Sequence, residues 1–231
     1  MKSGDLDANI LLQLGPLALS NTVLTTWVIM LISGLIAWLV SRSLSLQPGP
    51  VQTVAEGVVS TIEAAINEVA PDHTLQLLPF IGTLWLFLIV ANLSGLIPGV
   101  HSPTRDLSAT SALAILVFLS THWFGIRAQG LRDYLRHYLK PSPIMLPFHI
   151  ISEMTRTIAL AIRLFGNMMS LEMTALLILL VAGFLAPIPI LMLHIIEALV
   201  QAYIFGMLAL IFVAGGLQSQ QISENKQQQR E

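Results

Sequence analysis

The sequence predicts an all-α integral membrane protein with about five membrane-embedded helices plus one interfacial amphipathic helix. The first reason is composition: 10% of the 231 residues are charged and 55% are hydrophobic, against about 25% and 45–50% in soluble domains. That is too little charge to cover a water-soluble globule and too much apolar content for a disordered chain. The second is clustering, because the apolar residues gather into stretches of about 20, the length that crosses a hydrocarbon core. The third is that the few charges fall mainly between those stretches. Eleven Lys and Arg against 13 Asp and Glu leave a formal charge of −2, which gives no basis for binding nucleic acid. The absence of cysteine removes disulfides, thiolate nucleophiles and Cys-based metal sites together.

Residues 1–21 read as an N-terminal segment outside the membrane. Asp5 and Asp7 and the late start of the apolar run make it unlike a signal peptide. The first span covers residues 22–40. Residues 51–69 differ: Val51, Val54, Val58, Ile62, Ile66 and Val69 recur at helical spacing, with Gln52, Glu56, Ser60, Glu63 and Asn67 opposite. This amphipathic helix either lies in the interface or rests on other protein. Further spans cover residues 77–97, which end at Pro98-Gly99, and residues 107–126. From residue 144 to 184 the pattern stays helical for 41 residues. A helix of that length measures roughly 60 Å, twice the hydrocarbon thickness, so it must break or run steeply tilted. After a turn at Pro187-Ile188-Pro189 the last helix covers residues 190–213, also long and tilted. Ala214-Gly215-Gly216 is expected to close it as a C-cap, leaving residues 218–231 as a disordered polar tail. The whole chain, 1–231, reads as a single membrane domain.

Five crossings put the termini on opposite sides. Arg127, Arg132, Arg136 and Lys140 against Asp133 mark one loop as cytoplasmic. Alternation then brings Arg42, Lys226 and Arg230 to the same side and leaves Lys2 and Arg105 outside. The N-terminus is therefore expected outside and the C-terminus inside, in what is expected to be a bacterial plasma membrane.

Two cations remain embedded, Arg156 and Arg163, on the overlong helix with Glu153 and Glu172. His194, Glu197 and Gln201 form a polar stripe at i, i+3 and i+7 on the last helix. An arginine at a bilayer centre costs about 2.5–3.5 kcal/mol on insertion scales, so such groups point to a protein interior or a water path. Glu153 and Arg156 are three apart and can pair along one face; Arg156 can equally snorkel. Arg163 lies seven residues beyond Arg156 on nearly the same stripe, with Asn167 four further on. Glu172, nine residues beyond Arg163, falls on the opposite side. Bland alternatives stand beside each: Arg163 bonded to helix carbonyls, Glu172 exposed to water near a helix end, His194 packed on a carbonyl. Gln201, Asn92 and Asn167 can also serve as interhelical glue.

The run Ala161-Ile162-Arg163-Leu164-Phe165-Gly166-Asn167-Met168-Met169 resembles the signature helix of subunit a of F-type ATP synthases. His194, followed by Gln201-Ala202-Tyr203-Ile204-Phe205, resembles the last helix of that family, and Asn92 before a Leu-Ile-Pro exit fits as well. The resemblance covers residues 77 to 217. It implies a stator subunit of a rotary motor, packed against a rotor ring of small carboxylate-bearing membrane subunits and joined to a peripheral stalk subunit within the lipid bilayer. Two offset aqueous half-channels would meet that ring. Arg163 matches the essential arginine, Glu172 the acid, and His194 and Gln201 the polar pair; Glu197 adds a carboxylate to the half-channel lining, with Arg156, Glu153 and Asn92 secondary. The chain itself would bind no nucleotide, cofactor or metal and would not be an enzyme alone. Met169-Ser170-Leu171 before the acid, Glu197, and Thr157 after Arg156 depart from the familiar pattern and leave proton against sodium open. A stand-alone secondary transporter is the alternative, although the two halves of the chain show no repeat. An intramembrane enzyme lacks a nucleophile–base pair.

Overall fold

A computed structural model describes residues 10–14, 17–46, 49–97, 100, 102–130, 146–183 and 188–228. Among the described residues six α-helices follow a short hairpin: β1 (Ile10–Leu14), β2 (Leu17–Ser20), α1 (Asn21–Arg42), α2 (Pro50–Val69), α3 (Thr74–Ser94), α4 (Leu107–Gln129), α5 (Leu146–Ala182) and α6 (Ile188–Gln228). Five of the helices are long and apolar enough to cross a membrane, which matches the expected fold class. The hairpin is an addition to it. Its antiparallel strands pair Leu12 with Leu19 and Leu14 with Leu17, around a Gly-Pro turn signal that the reading of residues 1–21 as plain segment passed over.

Helix α1 is apolar on all sides, and Ile29 is buried while Trp27, Leu31 and Ile36 are exposed. Such a surface suits lipid rather than water. Its N-terminal end is tied down where the Thr22 hydroxyl donates to Asp106 Oδ2 at 2.9 Å. Helix α2 starts with Pro50 at its first position, where the missing N–H costs nothing. Near its C-terminal end this helix rests on other helices of the chain. Ile62 and Ile66 near its C-terminal end are buried in the shared core, with Gly82 of α3 facing Ile62, while Val51, Val54 and Val58 leave an apolar strip open.

The core is built by α3, α4 and α6, joined by α5. On α6 the buried residues His194, Ala198, Ala202, Phe205, Ala209, Val213 and Leu217 recur at three and four, forming one stripe that Gln201 joins beside Ala202. Lipid tails are as apolar as leucine, so helices in a membrane associate by close packing, and small residues make that approach possible. Gly206 is the extreme case: a Cβ there would lie 1.7 Å from Trp85 Nε1 on α3. That indole also donates to the Tyr203 carbonyl at 3.3 Å.

Helix ends follow local chemistry. Asp106 caps α4 by accepting from the Ser108 N–H at 2.9 Å. Gly130 and Gly183 stop α4 and α5 with φ of +77° and +81°, a region that favours glycine. Thus the long helix ends at Ala182 rather than at residue 184. It is unbroken over 37 residues, about 55 Å. Helix α6 begins at Ile188 with Pro189 in its first turn, so the expected Pro187-Ile188-Pro189 turn shrinks from its C-terminal side.

The largest correction concerns Ala214-Gly215-Gly216. These residues do not cap α6, which runs on to Gln228, and neither glycine has positive φ. Gly216 instead lets α6 approach α4, since its Cβ would stand 3.3 Å from the Thr121 carbonyl oxygen. Ala214 and Leu217 are buried beside it. The backbone of residues 218–228 is therefore helical where a disordered tail was expected. Pro98-Gly99, Arg132, Asp133, Arg136, Lys140 and Arg230 lie outside the described residues.

Candidate functional site

The embedded polar side chains fall into a cluster at one end of the helices, a central group on α5 and a cluster at the other end. The first gathers where α3 and α5 finish and α4 and α6 begin. Asn92 is fully buried; its Nδ2 donates to the Ala198 carbonyl at 3.1 Å and its Oδ1 accepts from the Thr104 hydroxyl at 2.8 Å. The Ser102 hydroxyl donates to the Ala91 carbonyl at 2.8 Å and lies 2.7 Å from Thr104 Oγ1. A buried amide must be satisfied in this way or it costs stability, so the turn Pro103–Arg105 is stitched to α3 and α6. His194 is buried next to this knot, near Gly95, and its Nε2 has no hydrogen bond among the described residues. Glu172 forms an ion pair with Arg105 from the turn, and both Glu172 and Glu197 lie within electrostatic range of the imidazole.

In the centre, Arg163 projects from an exposed face of α5 beside Ile162. It makes no hydrogen bond or ion pair among the described residues. Four residues on, Asn167 turns toward α6 and its Nδ2 donates to Gln201 Oε1 at 2.6 Å. Gln201 is 1% exposed and its Nε2 is left without an acceptor among the described residues. Asn167 and Gln201 thus join the two long helices one turn from the arginine.

At the other end, Glu153 of α5 faces His122 of α4, with Oε2 3.8 Å from Nε2. His122 Nδ1 is 2.8 Å from the Phe118 carbonyl oxygen. The Arg156 guanidinium lies 5.3 Å from the ring centre of Phe212 on α6, an attractive geometry for a cation over an aromatic face. Glu153, Arg156 and Phe212, with Thr121 and Thr157, line a cavity of about 20 Å³, room for about one water molecule.

Matched against known proteins, residues 23–214 fit the model of the family described as ATP synthase A chain. The chain belongs to the ATP synthase A chain family. The resemblance carried by Arg163-Leu-Phe-Gly-Asn167 and by the His194 to Gln201 stripe therefore holds for the chain as a whole. Its relatives include "ATP synthase subunit a 2" of Pelobacter propionicus, 68% identical over 90% of this chain and 92% of the relative. "ATP synthase subunit a 1" of Hahella chejuensis is 67% identical over 90% and 88%. "ATP synthase subunit a" of Legionella pneumophila strain Paris is 58% identical over 93% and 94%.

Within this A chain, the structure brings together Asn92, Glu172, His194 and Glu197 at one end, and Glu153 with Arg156 at the other. Sequence reasoning missed Arg105, which it counted only as an outside charge, and it missed Ser102, Thr104 and His122. The polar turn Ser102-Pro-Thr-Arg-Asp106 between two apolar spans was the available signal for the first three. His122 stood alone on an apolar helix with no motif around it.

Proposed function

We propose that this A chain is the ion-translocating stator subunit of an F-type ATP synthase, with Arg163 as the fixed charge separating two offset aqueous half-channels. One observation supports this above the others: an arginine on an open helix face, without a partner among the described residues and midway between two polar clusters. Along α5, Glu172 lies about 14 Å and Glu153 about 15 Å from Arg163 at 1.5 Å per residue. Neither cluster reaches across that middle on its own. A carboxylate on a rotor ring passing this open face would meet a guanidinium that never loses its charge. The guanidinium attracts the empty carboxylate, expels the cation it carries and denies ions a direct route between the clusters. Glu172, His194, Glu197 and Gln201 line the outer path, while Glu153 and Arg156 flank the inner one. The N-terminus lies outside and the C-terminus in the cytoplasm of a bacterial cell, and a peripheral stalk subunit holds the chain against the ring. The chemistry of ATP belongs to other subunits.

The test is the complex reconstituted in proteoliposomes. Arg163→Ala abolishes ATP-driven ion pumping while the complex still assembles. Arg163→Lys is severely impaired, because a lysine can lose its proton on desolvation and lacks the delocalised fork. Pumping at the native rate in Arg163→Ala overturns the reading.

A further inference from the structure

Arg105 pairs with Glu172 on the outer path proposed above. Its role there rests on the half-channel reading. The two residues are 67 positions apart in the chain and meet beside the buried His194. Their side chains are 32% and 25% exposed, open enough for water and buried enough for the charge to matter. Arg105 stands between two acids, because its charge also acts on Asp106. Asp106 is committed to its cap, accepting from the Ser108 N–H, the Ser108 hydroxyl and the Thr22 hydroxyl. On α6 the charged or titratable groups near Glu172 are His194 and, on the same stripe, Glu197.

A guanidinium keeps its charge under all physiological conditions. While Arg105 is paired, Glu172 is an anion whose cation position is filled by a group that cannot diffuse away. A proton or metal cation arriving at Glu172 must displace it. We propose that Arg105 is a tethered competitor for the transported cation at Glu172, occupying the cation's place on the acid between passages. It thereby sets the external cation concentration at which the outer path fills. Arg105 is a positioning residue in this scheme and carries no ion itself.

The experiment uses the whole ATP synthase in proteoliposomes, with synthesis driven at a fixed membrane potential. The cation concentration on the Arg105 side is varied, once as pH at constant sodium and once as sodium at constant pH. In Arg105→Gln the half-saturating concentration of the carried cation falls about tenfold or more, because the arriving cation no longer has to displace a fixed opposite charge in direct contact with the acid. Arg105→Lys moves it in the same direction by less. A purely structural brace would lower the maximal rate and leave half-saturation in place, and that result in Arg105→Gln overturns the proposal. If Arg105→Gln fails to assemble, Arg105→Lys decides by the same criterion. Glu172→Gln separates this inference from the reading beneath it. If that variant keeps native rate and half-saturation, Glu172 is not in the path at all. If it is impaired while Arg105→Gln shows no shift, only the tethered competitor fails.

Discussion

Asp106 shows how much one side chain at a helix start can hold. It caps α4, anchors α1 through Thr22 and neighbours Arg105. Asp106→Ala should destabilise the subunit by about 1 kcal/mol through the lost cap, read as a lower midpoint when the purified complex is unfolded by detergent titration. Asp106→Asn should recover most of that loss. Burial pushes the carboxyl up, but donation from the Ser108 N–H and hydroxyl and from Thr22, together with the charge of Arg105, holds it below its ordinary 3.8. A depressed folded value means that the ionised group stabilises the fold above the unfolded value, about pH 4, and loses that contribution as pH falls through the folded one. The stability difference between the native chain and Asp106→Asn should therefore be constant above about pH 5 and shrink below about pH 4. A difference that stays constant well below that range would remove the carboxylate's role. At this scale legibility was uneven. Arg163 and Asn167 sit in one contiguous motif, and His194 and Gln201 keep a single helical stripe, so periodicity alone reaches them. The partner of Glu172 is in a turn 67 residues away, and no local pattern encodes such a meeting.

Among elements, the long helices were visible because an apolar run of membrane length can satisfy its backbone in lipid only by folding as a helix across it. Their ends were less so. A Gly-Gly pair after an apolar run signals either a cap or a close crossing, and only the neighbour decides. At Gly216 the neighbour is the Thr121 backbone, so the helix continues. Gly206 sits in a tighter crossing, pressed against the Trp85 indole of α3. Adding one methyl there must push the indole or the helix aside, and overpacking of this kind typically costs about 1–3 kcal/mol. Gly206→Ala should reduce the amount of A chain retained in membranes and lower its unfolding midpoint. Gly215→Ala, with nothing within 4 Å of the new carbon, should match the native chain, and Trp85→Leu should restore part of the loss in a Gly206→Ala background. Equal behaviour of the two glycine variants would mean that the α3–α6 crossing is looser than this packing requires.

At the scale of the whole molecule, contacts between helix ends impose an alternation that no single span reveals. The start of α1 bonds the start of α4 through Thr22 and Asp106, and the last turn of α3 reaches α6 through Asn92 and Ala198. The C-terminal part of α5 joins the turn before α4 through Glu172 and Arg105. At the far end, Glu153 near the start of α5 faces His122 late in α4, and Arg156 faces Phe212 late in α6. Successive crossings therefore run in opposite directions, and one fixed side sets all the others. The orientation proposed above puts the His122 end in the cytoplasm, where the positive-inside rule expects Arg42 and Arg127, the latter followed by Arg132, Arg136 and Lys140 in sequence. The chain has no cysteine, so single cysteines report position without a background. In intact cells, a membrane-impermeant maleimide should label Val100→Cys, after α3, and Gly183→Cys, after α5. It should reach Ser43→Cys, after α1, and Gly130→Cys, after α4, only in inverted vesicles. Labelling of all four in the reverse pattern would turn the molecule over and make Glu153 the outer acid. Labelling of Ser43→Cys and Gly130→Cys from opposite sides would break the alternation itself, because both positions end helices that start together at the Thr22–Asp106 contact.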